Sequence, residues 1–201
     1  KMSLEFHLLN TQQAEVFEKV CRILSPFVVE FIGTFFLTMS IGFNLINTAR
    51  KDLFAMQAAL GIGGTLMASV YAGGHISGAH YNPSVTLAVW LSRRNKITTL
   101  DAAIYICVQI CGAFFAALFQ WSILHETFRI TPAAEVGAGD AMVVEWFWTF
   151  LLCTVVLQTA TTAPQAGNSF YGLAIGFTVL SGIVSVGCTF SPFNPAFALR
   201  Y

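Results

Sequence analysis

Gly74-His75-Ile76-Ser77-Gly78-Ala79-His80-Tyr81-Asn82-Pro83-Ser84-Val85-Thr86 is the stretch on which the fold turns. Asn caps a helix with its side-chain oxygen, and Pro suits the first helical position, where the N–H it lacks would have no intrahelical partner. Asn82-Pro83-Ser84 therefore starts a helix, and Asn194-Pro195-Ala196 starts another. Almost no charge lies between Tyr71 and Leu91 or between Ser181 and Leu199, so both starts are expected at membrane depth.

Composition agrees with that placement. Hydrophobic residues make up 56% of the 201-residue chain and charged residues 10%, with a mean hydropathy of +0.68. A water-facing surface needs more charge, so much of the exterior is expected to contact a lipid bilayer. Zero formal net charge and the lack of a basic tract set nucleic acid aside as a partner. The cysteines, Cys21, Cys107, Cys111, Cys153 and Cys188, are odd in number and lie mostly in hydrophobic segments. They do not suggest a disulfide framework, and Cys107 and Cys111, with no His or carboxylate beside them to complete a metal site, read as small apolar packing residues.

Five segments are long enough to span a bilayer, which takes about 20 mainly apolar residues: 26–47, 53–73, 98–123, 140–162 and 169–188. Two pieces led by Asn-Pro, 82–91 and 194–201, are only half that length. The order long, long, short, long then begins again, and so do the residues. Val28-Val29-Glu30 with Thr34-Phe35 matches Val143-Val144-Glu145 with Thr149-Phe150 at an offset of 115, and the Asn-Pro pairs recur at 112. Two halves are the reading, and three spans in the first half turn the second upside down. The expected organisation is an interfacial amphipathic segment at 1–25, a first repeat at 26–123, a connecting loop at 124–138 and a second repeat at 139–201. Six residues follow Pro195, so the second half-helix is short and the third span of its repeat is expected outside this sequence.

Short, interrupted segments at matching places in inverted halves point to a substrate path near the midplane. Exposed backbone polar groups cost several kcal/mol each in lipid, so the loops 73–81 and 187–193 must be buried in protein or line water. A pore lined by carbonyl oxygens follows. Lys19 and Arg22 before the first span, and Arg93, Arg94 and Lys96 after the first half-helix, put the N-terminus on the cytoplasmic side by the positive-inside rule.

With these motifs in view, the chain from Pro26 to Tyr201 resembles the major intrinsic proteins, the aquaporins and aquaglyceroporins. Residues 74–86 look like that family's first signature loop, and Phe193-Asn194-Pro195-Ala196 like its second, with Ser84 in place of the usual Ala. The resemblance implies an all-α membrane fold: a right-handed helical bundle with two re-entrant half-helices, assembled as a homotetramer with one pore per subunit. It implies no cofactor. The pore centre would be Asn82, Pro83, Ser84, Asn194, Pro195 and Ala196, with carbonyls from Gly78, Ala79, His80, Phe190, Ser191 and Pro192. The outer filter would be Ile62, Gly182, Ser191 and Phe197. Gly182 is expected to widen that filter, while Phe197 stands where the family usually has Arg.

Glu30 and Glu145 lie within spans, where an unpartnered carboxylate costs on the order of 3 kcal/mol. A proton relay is one reading. The other, which symmetry favours, is that each accepts N–H groups of a re-entrant loop. His75 and His80 lack a third ligand, so no metal site is expected. Gly172 with Gly176, and Gly112 with Ala116, have the spacing that lets membrane helices approach closely.

The resemblance implies a passive channel for water and small neutral solutes such as glycerol. The alternatives are a non-conducting subunit of a larger assembly with other membrane subunits, favoured by the missing filter Arg, and a proton-coupled transporter using the two glutamates. No nucleophile, base and orienting group occur together, so an enzyme has no support.

Overall fold

The computed structural model describes residues 11–49, 55–126, 137–186 and 193–198. Helix α1 spans Thr11–Ala49, α2 Ala55–Ser77, the half-helix α3 Pro83–Leu91, α4 Thr99–Leu124, α5 Ala138–Ala160, α6 Tyr171–Val186 and α7 Pro195–Ala198. No strand occurs among the described residues, and the expected all-α fold is the one observed. Helices α1, α4 and α5 are each long and apolar enough to cross a membrane.

Two boundaries differ from the sequence reading. α1 is one 39-residue helix that runs through Pro26, so residue 25 is not a helix end. It is far longer than the bilayer's hydrocarbon core, which about 20 helical residues cross. α2 continues past Gly73 and Gly74 to Ser77, so the irregular part of the first loop is only 78–82.

Glycines set the helix spacing. At the α2–α6 crossing, a Cβ on Gly63 would come within 2.8 Å of the Gly176 carbonyl, and one on Gly176 within 2.6 Å of the Gly63 carbonyl. Gly112 of α4 lies against the Phe31 carbonyl of α1, at 2.5 Å from a would-be Cβ, with Ala116 fully buried one turn on. Gly63, Gly176 and Gly112 are therefore contact points against a neighbouring backbone, whereas Gly172 faces the Tyr71 ring, 2.9 Å from a would-be Cβ.

The outside is apolar. Phe114, Phe115 and Trp121 of α4, and Trp146, Phe147 and Phe150 of α5, are all more than half exposed. An apolar exterior of this extent suits a bilayer and not water. Cys107 and Cys111 belong to it: both are exposed, which corrects their reading as packing residues, and Cys188 lies outside the described residues.

Candidate functional site

The site grows from the break between α2 and α3. Gly78 (φ +85), Ala79 (φ +52) and Tyr81 (φ +49) turn the chain back into the protein. Such a turn frees backbone N–H groups, and in a membrane interior each needs a partner. Glu30 of α1, with 0% exposure, supplies it. Its Oε1 accepts from Ser77 Oγ at 2.7 Å and the His80 N–H at 2.9 Å. Its Oε2 accepts from the Tyr81 N–H at 2.7 Å and Gln109 Nε2 at 2.8 Å. Four donors converge on one carboxylate, which as an acceptor-only group suits them all. The geometry is that of a brace, not of a relay.

Asn82 then caps α3. Its backbone is extended (φ −158, ψ 123), and its Oδ1 accepts the Ser84 N–H at 2.9 Å. Asn194 does the same for α7, accepting the Ala196 N–H at 3.1 Å. The two loops then grip each other. Asn82 Nδ2 donates to the Phe193 carbonyl at 2.8 Å, and Asn194 Nδ2 donates to the Tyr81 carbonyl at 2.8 Å. Each amide has two N–H bonds, so one is committed to the opposite loop and one remains. The sequence reading placed both asparagines at the centre but missed this reciprocal lock.

Asn82 and Asn194 both line a narrow lumen of about 20 Å³, close to the space that admits one water. Four helices supply its apolar wall in pairs spaced four apart: Leu37 and Ile41 of α1, Ile62 and Leu66 of α2, Leu152 and Val156 of α5, Ile175 and Val179 of α6. The α5 pair repeats the α1 pair at an offset of 115, the offset that relates Glu145 to Glu30. Ala79 and His80 complete the polar side, with His80 Nδ1 at 3.2 Å from Thr86 Oγ1. Thr86 is itself tied to Asn82 O at 3.1 Å and Gln109 Nε2 at 2.9 Å. Gln109 and Thr86 were given no role by the sequence reading; Gln109, one of two amides inside an apolar helix, was the available signal.

The expected outer filter comes together only in part. Ile62 is in the lumen wall. Gly182 does not open that wall: a Cβ there would lie 2.5 Å from the Phe193 ring and 3.0 Å from Trp148, so the room it leaves is already filled. Phe190, Ser191 and Pro192 lie outside the described residues, as does the side chain of Phe197, whose backbone belongs to α7. Glu145 receives the backbone N–H of Phe193, while its Oε1 has no partner among the described residues. Pro83 is buried, and Ser84 is half-buried on the first turn of α3. No cluster of three metal-ligating side chains occurs among the described residues.

Comparison with known proteins gives the same picture. The chain is 36% identical over 181 residues to glycerol uptake facilitator protein-like 6 of Lactiplantibacillus plantarum, covering 86% of this chain and 81% of that one. It is 32% identical over 199 residues to aquaporin AqpM of Methanothermobacter thermautotrophicus, covering 84% and 78%. The aquaglyceroporin of Plasmodium falciparum has the same fold, with a TM-score of 0.72 at 21% identity over 88% of this chain and 78% of that one. The sequence profile of the family described as major intrinsic protein matches residues 10–200, and the chain belongs to that family of membrane channels.

Proposed function

We propose that this channel conducts water and small neutral solutes such as glycerol through the lumen between Asn82 and Asn194. The reciprocal lock carries the reading: it holds two amide donors at the centre of a passage whose wall is mostly apolar. A solute with hydroxyls can accept from those amides while its carbon side slides along Ile62, Leu66, Ile175 and Val179. An ion finds no counter-charge in that wall and would shed its hydration at a cost of many kcal/mol. Proton exclusion by central donors and half-helix dipoles is the general property of aquaporin-type pores and is not specific to this geometry. The relatives named for glycerol uptake and for water support both solutes.

The bilayer is the medium that the apolar exterior fits, and a homotetramer with its N-terminus on the cytoplasmic side is the assembly and orientation we propose. Cross-linking in native membranes and protease access to an N-terminal tag test those two points. Stopped-flow light scattering of proteoliposomes tests the function. Water and glycerol permeabilities above those of empty vesicles are expected; equality with empty vesicles for both would overturn the reading.

A further inference from the structure

The residues that precede the two central asparagines are both aromatic, and neither is in the lumen wall among the described residues. Tyr81 (φ +49) and Phe193 (φ +57) both hold the left-handed backbone conformation, which a bulky side chain strongly disfavours. Strain of this kind persists only where the surroundings over-determine it. Here each residue is fixed at three points.

The first point is the N–H, which Glu30 takes for Tyr81 and Glu145 takes for Phe193. The second is the carbonyl, which accepts the amide of the opposite asparagine: Asn194 on Tyr81, Asn82 on Phe193. The third is the ring. That of Tyr81 lies on Gly33 and Gly73, where an added Cβ would come within 2.1 Å of Cε1 and 2.0 Å of the hydroxyl oxygen; its hydroxyl also donates to Ser69 O at 3.0 Å. That of Phe193 lies on Gly182 and stacks on Trp148, with centroids 6.0 Å apart and planes 30° from parallel.

We propose that Tyr81 and Phe193 are positioning residues of the central constriction: each ring, pinned in its glycine seat, fixes the carbonyl that orients the asparagine of the opposite loop. The coupling is crosswise. Loosening Phe193 frees Asn82, and loosening Tyr81 frees Asn194. Trp148 acts through Phe193 and so belongs to the Asn82 side. Gly182 is then a seat for a ring, and position 182 bears on selectivity through Phe193. This inference rests on the channel reading, because only a conducting lumen gives the orientation of the amides a consequence.

The test uses the side-chain amide resonances of Asn82 and Asn194 in labelled protein, together with the glycerol-to-water permeability ratio in proteoliposomes. Phe193→Leu and Trp148→Leu are expected to shift the Asn82 amide pair more than that of Asn194, and Tyr81→Leu to do the reverse. The permeability ratio should move by about threefold, the order of one weakened hydrogen bond, while Tyr81→Phe, which keeps the ring, stays near wild type. Trp148→Leu leaves both loops' sequences intact and serves if the loop variants fail to fold. Larger shifts at the same loop's own asparagine, or an unchanged ratio in folded Leu variants, would overturn the proposal. A wild-type protein that conducts neither solute contradicts the channel reading; a conducting wild type with unmoved amides contradicts only the pins.

Discussion

The two re-entrant loops are built to one plan but held unequally. In the first, Glu30 is fully buried and satisfied by Ser77, His80, Tyr81 and Gln109. In the second, Glu145 is half-buried, with the Phe193 N–H on the carboxylate and Oε1 unpartnered among the described residues. The ring seats differ too. Position 33, one turn after Glu30, is glycine and admits the Tyr81 ring, whereas the equivalent position after Glu145 is Trp148, against which Phe193 stacks. Among the described residues, a polar network holds the first loop and aromatic stacking holds Phe193 of the second, so substitutions at equivalent positions should not cost the same.

Glu30 and Glu145 give the sharpest contrast. Glu30→Ala strands donors at a fully buried site, and should cost about 3–5 kcal/mol, enough to remove most folded protein. Glu145→Ala should cost about 1–2 kcal/mol, since among the described residues fewer groups lose a partner. Thermal unfolding followed by fluorescence-detected size exclusion measures both, and an equal or larger loss for Glu145→Ala would break the comparison. The seats come next. Gly33→Ala drives a methyl into the Tyr81 ring and should destabilise by about 2–3 kcal/mol, with Gly182→Ala nearer 1–2 because its closest ring atom is farther away. The same assay ranks them.

Smaller effects come from the ties at the membrane ends. Arg94, just beyond α3, donates to the Leu157 carbonyl and, at 2.7 Å, to Thr161 Oγ1, closing the C-terminal end of α5 with a cation. Arg94→Ala should cost about 1–2 kcal/mol, with partial recovery in Arg94→Lys. On α2, the Tyr71 hydroxyl donates to Ser169 O at 3.0 Å and accepts the Leu173 N–H at 3.1 Å, capping α6 from outside. Tyr71→Phe should lose about 1 kcal/mol. A loss larger than that of Gly33→Ala, in the same melting series, would put the weak point of the bundle at its rim and not at its centre.

The motifs and the repeat were legible because they are local in sequence: Asn before Pro, and a matched pair of V-V-E segments. The brace was legible as a carboxylate needing partners, but Gln109, 79 residues away, was not, since the sequence does not say which face of α4 meets α1. Glycine misled twice. Gly73 and Gly74 read as loop and are helical, because they make room for Tyr81 and Tyr171; Gly182 read as an opening and is filled by Phe193. In each case the absent side chain serves a ring from elsewhere in the fold. Pro26 read as a boundary and lies inside a helix, although residues 15–24 before it are exposed and only the part of α1 after it packs into the bundle. The paired wall residues at four-residue spacing repeat at the offset of the halves, a signal present in the sequence that only the structure made readable.

The central claim is that solute passes through the lumen between the two asparagines, and filling that lumen tests it most directly. Ile175 lies in the wall, and Phe177, two residues on, is exposed on the outside of the same helix. In proteoliposomes matched for folded protein, Ile175→Trp should reduce water and glycerol permeability to the level of empty vesicles, while Phe177→Trp conducts as wild type does. Equal permeability in the two variants would contradict a path through this lumen.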